Sequence, residues 1–451
     1  MSRAEAAAHE QRRAALLASM QSGPHGTAPL GLAKTGSNLF RDRTEGRKRR
    51  LDLSGFHHVL EVDATHGWVD VEGLATYETL VDATLPLGVM PAVVPQLKTI
   101  TTAGAVAGVG IEATSFRHGL VHDTLLEFDV LLPGGAFVHC TPENAHRDLF
   151  FGFPNSYGTL GYALRLRLRT LPVKPFVQVA HSRHEQPGRF FEALAGQCAG
   201  DADFVDGVVF GPAQHVLSAA RFSDQAPWLS DYGFEHIYYR SLLQRKRDVL
   251  TTRDYLWRWD TDWFWCSKNF GAQHPLLRRL LGRERLNSRT YARWMRWNAR
   301  WGVSKRLARW RGRHAESVIQ DVDIPLPRAA EFLAFLLREI RILPIWICPI
   351  RAAEAAHPFS LYPLAPGTPY VNFGFWDVVE SAVANEPGHF NRLVERKAID
   401  LGGIKSLYSD SWFTRDEFDR AYGMDRYAVL KRKYAPQHRL LGLYEKCVQR
   451  A

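Results

Sequence analysis

In the first half of the chain, hydrophobic and polar positions alternate in short runs separated by glycine, proline and aspartate. Runs at 58–62 and 68–71 flank a turn-like segment, and runs at 125–132 and 136–140 flank a Pro-Gly-Gly sequence, so both pairs are predicted as β-hairpins. Leucines alternate with arginines over 162–171, which predicts a strand with one buried face. This part of the chain is therefore predicted to consist mainly of short strands.

The rest of the chain mixes helical and strand periodicities, so the whole sequence predicts an α+β fold. A pair of prolines just before residue 176 marks a domain boundary. The predicted units are a helical arm (1–36), a first domain (37–175), a second α+β domain (176–395) and a C-terminal segment (396–451). Helices are predicted over 1–22, 74–85, 328–341, 388–401 and 414–422, and strands over 203–222, 319–324, 344–350 and 368–376.

Composition narrows the class of protein. With 451 residues, of which 46% are hydrophobic, the chain can form two or three packed cores. No apolar run approaches the roughly 20 residues that span a bilayer. The five cysteines lack CxxC pairs and zinc-ligand spacing, which predicts free thiols in a reducing cytosol and no metal site. The net charge of +10 favours an anionic partner.

Glycine, alanine and threonine dominate the segment 95–119. A backbone that approaches a pyrophosphate closely needs missing side chains and free N–H groups, and threonine hydroxyls add further donors. The spacing matches neither the GxGxxG dinucleotide pattern nor the P-loop. From these residues alone, a cofactor site and a tightly packed glycine-rich turn are equally good interpretations.

Further motifs occur at Leu51-Asp52-Leu53-Ser54-Gly55, Tyr157-Gly158-Thr159-Leu160-Gly161, His274-Pro275-Leu276-Leu277-Arg278 and Leu407-Tyr408-Ser409-Asp410. Together with 95–119, they resemble FAD-linked oxidoreductases of the vanillyl-alcohol-oxidase and p-cresol methylhydroxylase (PCMH) type. More narrowly, they resemble Δ24-sterol reductases of the diminuto/dwarf type. Ser37-Asn38-Leu39-Phe40-Arg41 and the segment 257–263 are similar to bacterial relatives that reduce 10-methylene fatty acyl chains in 10-methylstearic (tuberculostearic) acid synthesis.

This resemblance implies that the first domain binds FAD, that the second is a substrate (cap) domain and that the C-terminal segment returns to the flavin. It also implies non-covalent FAD, because the matching segment offers only Arg117 and His118 near the expected attachment point. The residues expected to bind FAD are Asn38, Pro95, Gln96, Leu97, Lys98, Thr101, Thr102, Gly104, Ala105, Gly108, Gly110, Glu112, Ser115, Gly119, Gly158, Thr159 and Gly161.

The activity implied by the resemblance is FAD-dependent reduction of an isolated C=C bond in a lipid, with NADPH as the donor. The preferred substrate is a 10-methylene fatty acyl chain, which a partner SAM-dependent methyltransferase would supply. Three alternatives stay open: a sterol side chain as substrate, an FAD-linked alcohol or sugar oxidase or dehydrogenase on the same fold, and a non-catalytic lipid- or protein-binding relative.

An isolated alkene has no carbonyl to withdraw electrons, so its reduction needs a proton donor as well as a hydride. Such an acid needs a raised pKa, which burial in an apolar pocket can supply. Glu112 and Tyr157 are candidates, although Glu112 could instead hydrogen-bond the flavin and Tyr157 could be a packing aromatic. In the C-terminal segment the candidates are Lys405, Tyr408 and Asp410.

Residues 278–313 contain thirteen Arg and Lys residues and one acid, Glu284. Trp294, Trp297 and Trp301 are interleaved at helical spacing. Together with the tryptophans of 255–265, this pattern predicts a segment, 255–313, that faces an anionic membrane. An ordinary surface helix and nucleic-acid binding are the alternatives, and no nucleic-acid fold accompanies the pattern. Membrane docking would place the protein in the cytoplasm, on the inner face of the cell membrane.

Overall fold

Two antiparallel sheets, of six and eight strands, organise the structure. The computed structural model describes residues 3–22, 29–33, 40–41, 48–301, 310, 312–352, 359–436 and 439–450. Helices flank both sheets, which confirms the predicted α+β class.

The six-stranded sheet forms the first domain, in the order β3-β4-β8-β6-β7 with β5 also paired to β8. Both predicted hairpins are present, and the leucines of the alternating strand are buried as expected. The strands are β3 (Val59–Asp63), β4 (Trp68–Glu72), β5 (Val89–Pro91), β6 (Leu125–Leu131), β7 (Phe137–Cys140) and β8 (Tyr162–Pro172). The helices are α2 (Tyr77–Thr84), α3 (Thr102–Ala107), α4 (Ser115–His118) and α5 (Arg147–Gly152).

The N-terminal arm packs on this domain. It contains α1 (Arg3–Ser22), and the short strand β1 (Leu30–Leu32) pairs in parallel with β2 (Arg49–Leu51). The helix is held by the fully buried carboxylate of Glu72, which accepts hydrogen bonds from Arg12 at 2.6 Å and pairs with His9 at 2.7 Å. The predicted N-terminal helix is thus confirmed.

The eight-stranded sheet forms the second domain, in the order β12-β9-β11-β10-β14-β15-β13-β16. Its last strand comes from the C-terminal segment, so that segment is part of the second sheet and not a separate unit. The strands are β9 (Phe176–His184), β10 (Phe204–Gly211), β11 (Gln214–Ser223), β12 (Arg247–Thr251), β13 (His314–Pro325), β14 (Ile345–Ile350), β15 (Tyr370–Ser381) and β16 (Ile404–Lys405).

Most helices of the second half lie around this sheet, and the last two reach back to the first domain. There, Lys431 donates to the Thr159 carbonyl at 2.7 Å and Lys446 donates to the Tyr157 carbonyl at 2.6 Å. The helices are α6 (Pro187–Ala199), α7 (Tyr238–Ser241), α8 (Thr252–Leu256), α9 (Pro275–Leu281), α10 (Ser288–Trp301), α11 (Ala329–Phe335, extended by a π turn, Leu336–Ile340), α12 (His389–Asp400), α13 (Arg415–Ala421), α14 (Met424–Tyr434) and α15 (Leu443–Cys447).

The two faces of the eight-stranded sheet differ in chemistry, because successive side chains of a strand point to opposite sides. One face carries an apolar core, including Val205, Val322 and Phe373, and is covered by α6, α11 and α12. The opposite face packs toward the first domain and carries Trp346 and Cys348 together with Asp206. We call this side the domain-facing side of the sheet.

The prediction that residues 255–265 face a membrane is wrong. Trp257, Trp259, Trp263 and Trp265 are all buried. Trp265 stacks on Trp376 of β15 with ring centroids 4.5 Å apart, and the other three belong to the same core. Since this segment ties the second sheet to the rest of the molecule, its aromatic richness serves packing.

Candidate functional site

The glycine-rich segment 95–119 runs along the junction of the two domains. Its last part touches the second domain: Val205 donates to the Ala113 carbonyl at 2.9 Å, and Arg351 donates to the Ser115 carbonyl at 3.1 Å. Its earlier part is partly exposed along 97–101, and Gly104 in the first turn of α3 is exposed. Thr101 caps this helix, since its hydroxyl accepts a hydrogen bond from the Gly104 amide at 3.3 Å.

The glycines of this segment serve two purposes. Gly108 and Gly110 are buried, and a Cβ on Gly110 would lie 2.5 Å from the Val121 side chain and 3.1 Å from Pro95. These two glycines are therefore required by packing, as the packed-turn interpretation expects. Gly104 serves the helix cap instead, since a Cβ there would lie 2.7 Å from the Thr101 hydroxyl, which accepts the hydrogen bond from its amide.

Tyr157 lies directly against this segment in a strained conformation. Its φ of 50° is left-handed, and its amide donates to the Ala107 carbonyl at 2.7 Å. The guanidinium of Arg41 lies 4.9 Å from the ring centroid. The hydroxyl is buried near the backbone of Leu407, but its proton has no acceptor. A strained residue with an unpaired buried donor is typical of a ligand site.

Glu112 sits in a buried ionic network. Its carboxylate accepts hydrogen bonds from Gln96 and from Arg258, the latter at 3.1 Å. Arg258 also donates to Asp206 at 2.7 Å, and Trp346 donates to the same Asp206 oxygen at 3.3 Å. Burial raises the pKa of Glu112, while the charge of Arg258 lowers it. The carboxylate is thus committed to two partners, and this geometry does not favour the proton-donor role expected for Glu112.

A second acidic group lies on the domain-facing side of the sheet. Asp321 on β13 accepts hydrogen bonds from the Tyr408 hydroxyl and from Asn372. Asn372 also donates to Asp323 at 2.8 Å, and Tyr362 donates to Asp323 at 2.7 Å. Burial raises the pKa of Asp321 to about 7 and that of Asp323 to about 6. Asp321 is partly exposed, whereas Asp323 is fully buried.

Asp321 is not among the acids that the sequence indicated as proton donors. A usable signal was present, because two acids spaced by two residues interrupt the apolar strand 318–324 and must share one face of it. Carboxyls on the buried face of a strand are costly unless they are hydrogen-bonded or serve a purpose. Of the five acid candidates that were named, Tyr408 contacts Asp321, and Tyr157 lies close enough for its charge to raise the pKa of Tyr408.

Lys405 and Asp410 lie apart from this acidic group. Lys405 pairs in register with Val322, so its side chain points to the opposite side of the sheet, toward α12. There it forms a buried ion pair with Glu395 at 2.9 Å, and burial lowers its pKa while Glu395 raises it. Asp410 pairs with Arg450 at 3.7 Å. The geometry gives both residues packing and positioning roles in the C-terminal segment, which corrects their assignment as proton donors.

Several predicted FAD-binding side chains are engaged within the protein. The hydroxyls of Thr102 and Thr159 donate to the carbonyls of Glu72 at 3.1 Å and Ser156 at 2.7 Å. The Ser115 hydroxyl accepts from the Glu112 amide at 3.1 Å. Gly119, Gly158 and Gly161 have positive φ and shape turns, and Ala105 is buried in α3. Lys98 forms an ion pair with Asp260 at 3.2 Å.

Asn38 lies outside the described residues, but its neighbour Phe40 donates a backbone hydrogen bond to the Tyr408 carbonyl at 2.9 Å. The segments around 40 and 408 therefore meet beside Asp321.

These features fit a flavin. The Tyr157 hydroxyl offers an unpaired donor, and the partly exposed side chains of Leu97, Ile100 and Val109 offer an apolar surface for a planar ring. When bound, the flavin supplies hydride chemistry, and the protein supplies placement and protons.

Comparison with known proteins agrees with this fit. Residues 24–141 match the family model described as an FAD binding domain. The Δ24-sterol reductase of Arabidopsis thaliana is 23% identical over 455 residues, which cover 90% of this chain and 77% of that protein. The human Δ24-sterol reductase is 25% identical over 426 residues, which cover 87% of this chain and 76% of that protein. A cytokinin dehydrogenase, number 7 of Oryza sativa subsp. japonica, is 31% identical over 147 residues, 32% of this chain and 28% of that protein.

The chain is thus an FAD-dependent oxidoreductase whose first domain is a PCMH-type FAD-binding domain. The predicted fold class, enzyme class and flavin cofactor are confirmed. Among the described residues, no helix has both the length and the hydropathy needed to cross a bilayer.

Proposed function

We propose that this enzyme reduces an isolated C=C bond of a lipid, using FAD as the hydride carrier and NADPH as the electron source. The observation that carries the proposal is a protonatable carboxyl, with a pKa of about 7, at an aromatic-lined junction beside the flavin-binding segment. An unactivated alkene needs such a proton donor, because it has no neighbouring carbonyl that withdraws electrons and makes its carbon accept a hydride. The full-length similarity to proteins named Δ24-sterol reductases supports the same chemistry.

The preferred substrate is a 10-methylene fatty acyl chain, which the enzyme converts to a 10-methyl chain. Support comes from the two motifs that resemble the bacterial fatty acyl reductases, because they contact each other through Phe40 and Trp263, and Phe40 also contacts Tyr408. The ring centroid of Phe40 lies 5.9 Å from that of Tyr408 and 5.7 Å from that of Trp263. A partner SAM-dependent methyltransferase would supply the methylene substrate. Reduction of a Δ24-sterol side chain is the second candidate, favoured by the named relatives.

Anaerobic mixing of the holoenzyme with NADPH is expected to bleach the flavin absorbance. A phospholipid with a 10-methylene-octadecanoyl chain is then expected to restore the absorbance and yield the 10-methyl product, detected by mass spectrometry. The oleoyl phospholipid is the matched control and should react far more slowly, since protonation of its double bond gives a less substituted cation. Absence of bleaching by NADPH and NADH alike, or oxygen consumption driven by an alcohol, would overturn the proposal.

We further propose that α9 and α10 dock the enzyme on an anionic membrane, which would place it on the cytoplasmic face of the cell membrane. Leu276 and Leu280 lie one turn apart on α9 and are 72% and 77% exposed, and Trp297 on α10 is 59% exposed. Apolar side chains are seldom left so exposed next to one another unless a partner covers them. Arg285 and Arg293 are exposed cations in the same region, which suits anionic headgroups.

The structure narrows the surface that the sequence predicted. Arg278 is buried in an ion pair with Asp262 at 2.8 Å, and Trp294 packs against Phe270, so neither faces a membrane. Arg279, Arg283 and Arg289 pair with surface acids. Lys305, Arg306, Arg309 and Arg311, and the side chains of Arg296, Arg300 and Trp301, lie outside the described residues.

A double variant with Leu276→Ser and Leu280→Ser is expected to bind vesicles of phosphatidylcholine and phosphatidylglycerol with at least about tenfold lower affinity. The reason is that two leucine side chains are no longer transferred from water into the bilayer. Flotation of the protein with the vesicles measures this binding. Leu87→Ser is the matched control, since Leu87 is 54% exposed in the first domain, and it should bind normally. Equal flotation of all three proteins, or none for the wild type at low salt, would contradict membrane docking.

A further inference from the structure

We propose that Asp321 is the proton donor of this enzyme and that Tyr408 and Asn372 position it; this inference rests on the alkene-reductase function proposed above. Asp321 ends the motif Val318-Ile319-Gln320-Asp321, which resembles the sterol reductases, but the sequence did not indicate a proton-donor role for it. Three features indicate this role: the position of Asp321 in the second sheet, its neutral neighbours, and its difference from the carboxyls of Glu112 and Asp323.

The strand order of the second sheet puts Asp321 at an open position on the domain-facing side. Strands β14, β15 and β13 are adjacent, and their register aligns Trp346, Gly374 and Asp321 in one row. A Cβ on Gly374 would lie 2.7 Å from an Asp321 carboxylate oxygen and 3.2 Å from the Trp346 ring. The position therefore requires glycine, because the Trp346 indole and the Asp321 carboxyl close over it, while Asp321 itself stays partly exposed.

The partners of Asp321 hold it in place and leave it able to carry a proton. The Tyr408 hydroxyl and the Asn372 amide both hydrogen-bond the carboxyl group, and both are neutral. Among the described residues, no cation shifts the pKa of Asp321, in contrast to Glu112, whose carboxylate contacts Arg258. Asp323 adds a like charge from the same strand, which favours the protonated form of Asp321.

The other carboxyl on this side of the strand is less suited to the task. Asp323 is fully buried, and it is engaged by Tyr362 and Asn372. It can tune Asp321 but has no exposed edge from which to reach a substrate. Tyr408 has a pKa well above its usual range, because it is buried and lies beside Asp321, so it remains a neutral hydrogen-bond donor and acts as a positioning residue.

The Asp321 carboxyl gives its proton to one alkene carbon, so a C–H bond forms, the π bond breaks and Asp321 becomes a carboxylate. A bound flavin, reduced by NADPH, would supply the hydride that the other carbon needs. Asp321 then recovers a proton from solvent through its exposed edge. One proton and one hydride are added to the alkene, and NADPH becomes NADP⁺.

The half-reaction with the alkene should therefore depend on pH, and the half-reaction with NADPH should not share that dependence. Asp321 must be protonated, so the rate of alkene reduction should fall as pH rises through about 7, by about tenfold per unit above it. The titratable groups facing Asp321 are Asp323 on its own strand, Tyr408 from the C-terminal segment and Tyr157 from the first domain. The two tyrosines have raised pKa values and stay neutral in this range.

Stopped-flow spectroscopy of the holoenzyme separates the two half-reactions. Asp321→Asn should keep the rate of flavin bleaching by NADPH, lose about 10²–10⁴-fold in the rate of reoxidation by the alkene, and lose the pH dependence above 7. Tyr408→Phe should lower the rate of reoxidation by the alkene by a smaller factor, and that rate should still fall as pH rises. In Asp323→Asn, the rate of reoxidation should begin to fall at a lower pH, because the loss of a neighbouring negative charge lowers the pKa of Asp321.

The outcomes distinguish this inference from the proposed function. Reoxidation of Asp321→Asn at the wild-type rate overturns the inference and leaves the alkene-reductase function standing. A wild-type flavin that NADPH bleaches but that neither the 10-methylene lipid nor a Δ24-sterol reoxidises overturns both. If Asp321→Asn does not fold, the wild-type pH profile decides: a limb near 7 supports the inference, and a flat profile from about pH 5 to about pH 9 overturns it.

Discussion

Replacing Arg258 with methionine is expected to lower the free energy of unfolding by about 3–5 kcal/mol. The guanidinium is fully buried, and it neutralises two buried carboxylates, Glu112 and Asp206. Methionine fills similar volume but leaves both charges without a partner in a region that water does not reach. Because the free energy of unfolding of an ordinary domain is about 5–15 kcal/mol, the variant should lose much of its stability. Urea unfolding followed by fluorescence measures this loss.

The pH dependence of Arg258→Met tests the physical cause. Arg258 lowers the pKa of Glu112, so without it burial raises that pKa further above its value in the unfolded chain. A carboxyl with a raised folded-state pKa stabilises the protein below its unfolded pKa, and that stabilisation is lost as pH rises through the folded-state pKa. The loss in free energy of unfolding, relative to the wild type, should therefore be smaller at about pH 5 than at about pH 8.

A triple variant provides the matched control. Combining Arg258→Met with Glu112→Gln and Asp206→Asn removes all three charges and keeps acceptors for Gln96 and Trp346. Most of the lost stability should return, because a neutral buried cluster carries no uncompensated charge. A triple variant as unstable as the single one, or a single variant whose deficit is the same at both pH values, would show that packing and not charge explains the loss.

Replacing Gly110 with alanine is expected to reduce the bound FAD about tenfold or more, at a stability cost of about 1–3 kcal/mol. The added methyl would lie 2.5 Å from Val121 and 3.1 Å from Pro95, so the backbone at 109–112 must shift. That shift moves the segment that carries Glu112 and adjoins Tyr157, where the flavin is expected to contact the protein. The ratio of flavin to protein absorbance after purification measures the bound FAD.

Two further variants separate this clash from a general effect of glycine replacement. Gly196→Ala on α6 has open space around the new methyl, so FAD content should not change and the helix should gain about 0.5–1 kcal/mol. Adding Val121→Ala to Gly110→Ala removes the closest clash and should restore part of the FAD. Normal FAD in Gly110→Ala alone would show that this turn does not support the cofactor site.

The sequence predicted the secondary structure well, because the signals that specify it are local. The hairpins of β3 with β4 and β6 with β7 follow from alternation and turn residues within about 15 positions. The long strand β8 has its leucines buried on one side, as its period of two requires. The flavin-binding segment was recognisable only through the family resemblance of the motifs around it, since its small residues by themselves fit a cofactor site and a packed turn equally well.

Local pattern could not show which way the aromatic residues face. Indole rings suit a membrane interface and a protein core equally well, so tryptophan content at 255–265 does not distinguish them. The tertiary structure decides, because β15 offers Trp376 as a stacking partner for Trp265. On α9, by contrast, nothing in the described part of the chain covers Leu276 and Leu280, and they stay exposed.

The sequence alone determined that this chain folds from alternating strands and amphipathic helices and carries an FAD-binding segment. Only the tertiary structure decided which acid stands at the site. Lys405 and Tyr408 are three residues apart, yet Lys405 points to α12 and Tyr408 contacts Asp321. Asp321 meets its neighbours because three strands distant in sequence align in one register. Pairing between distant strands depends on the packing of the whole sheet, so no local pattern of residues specifies it.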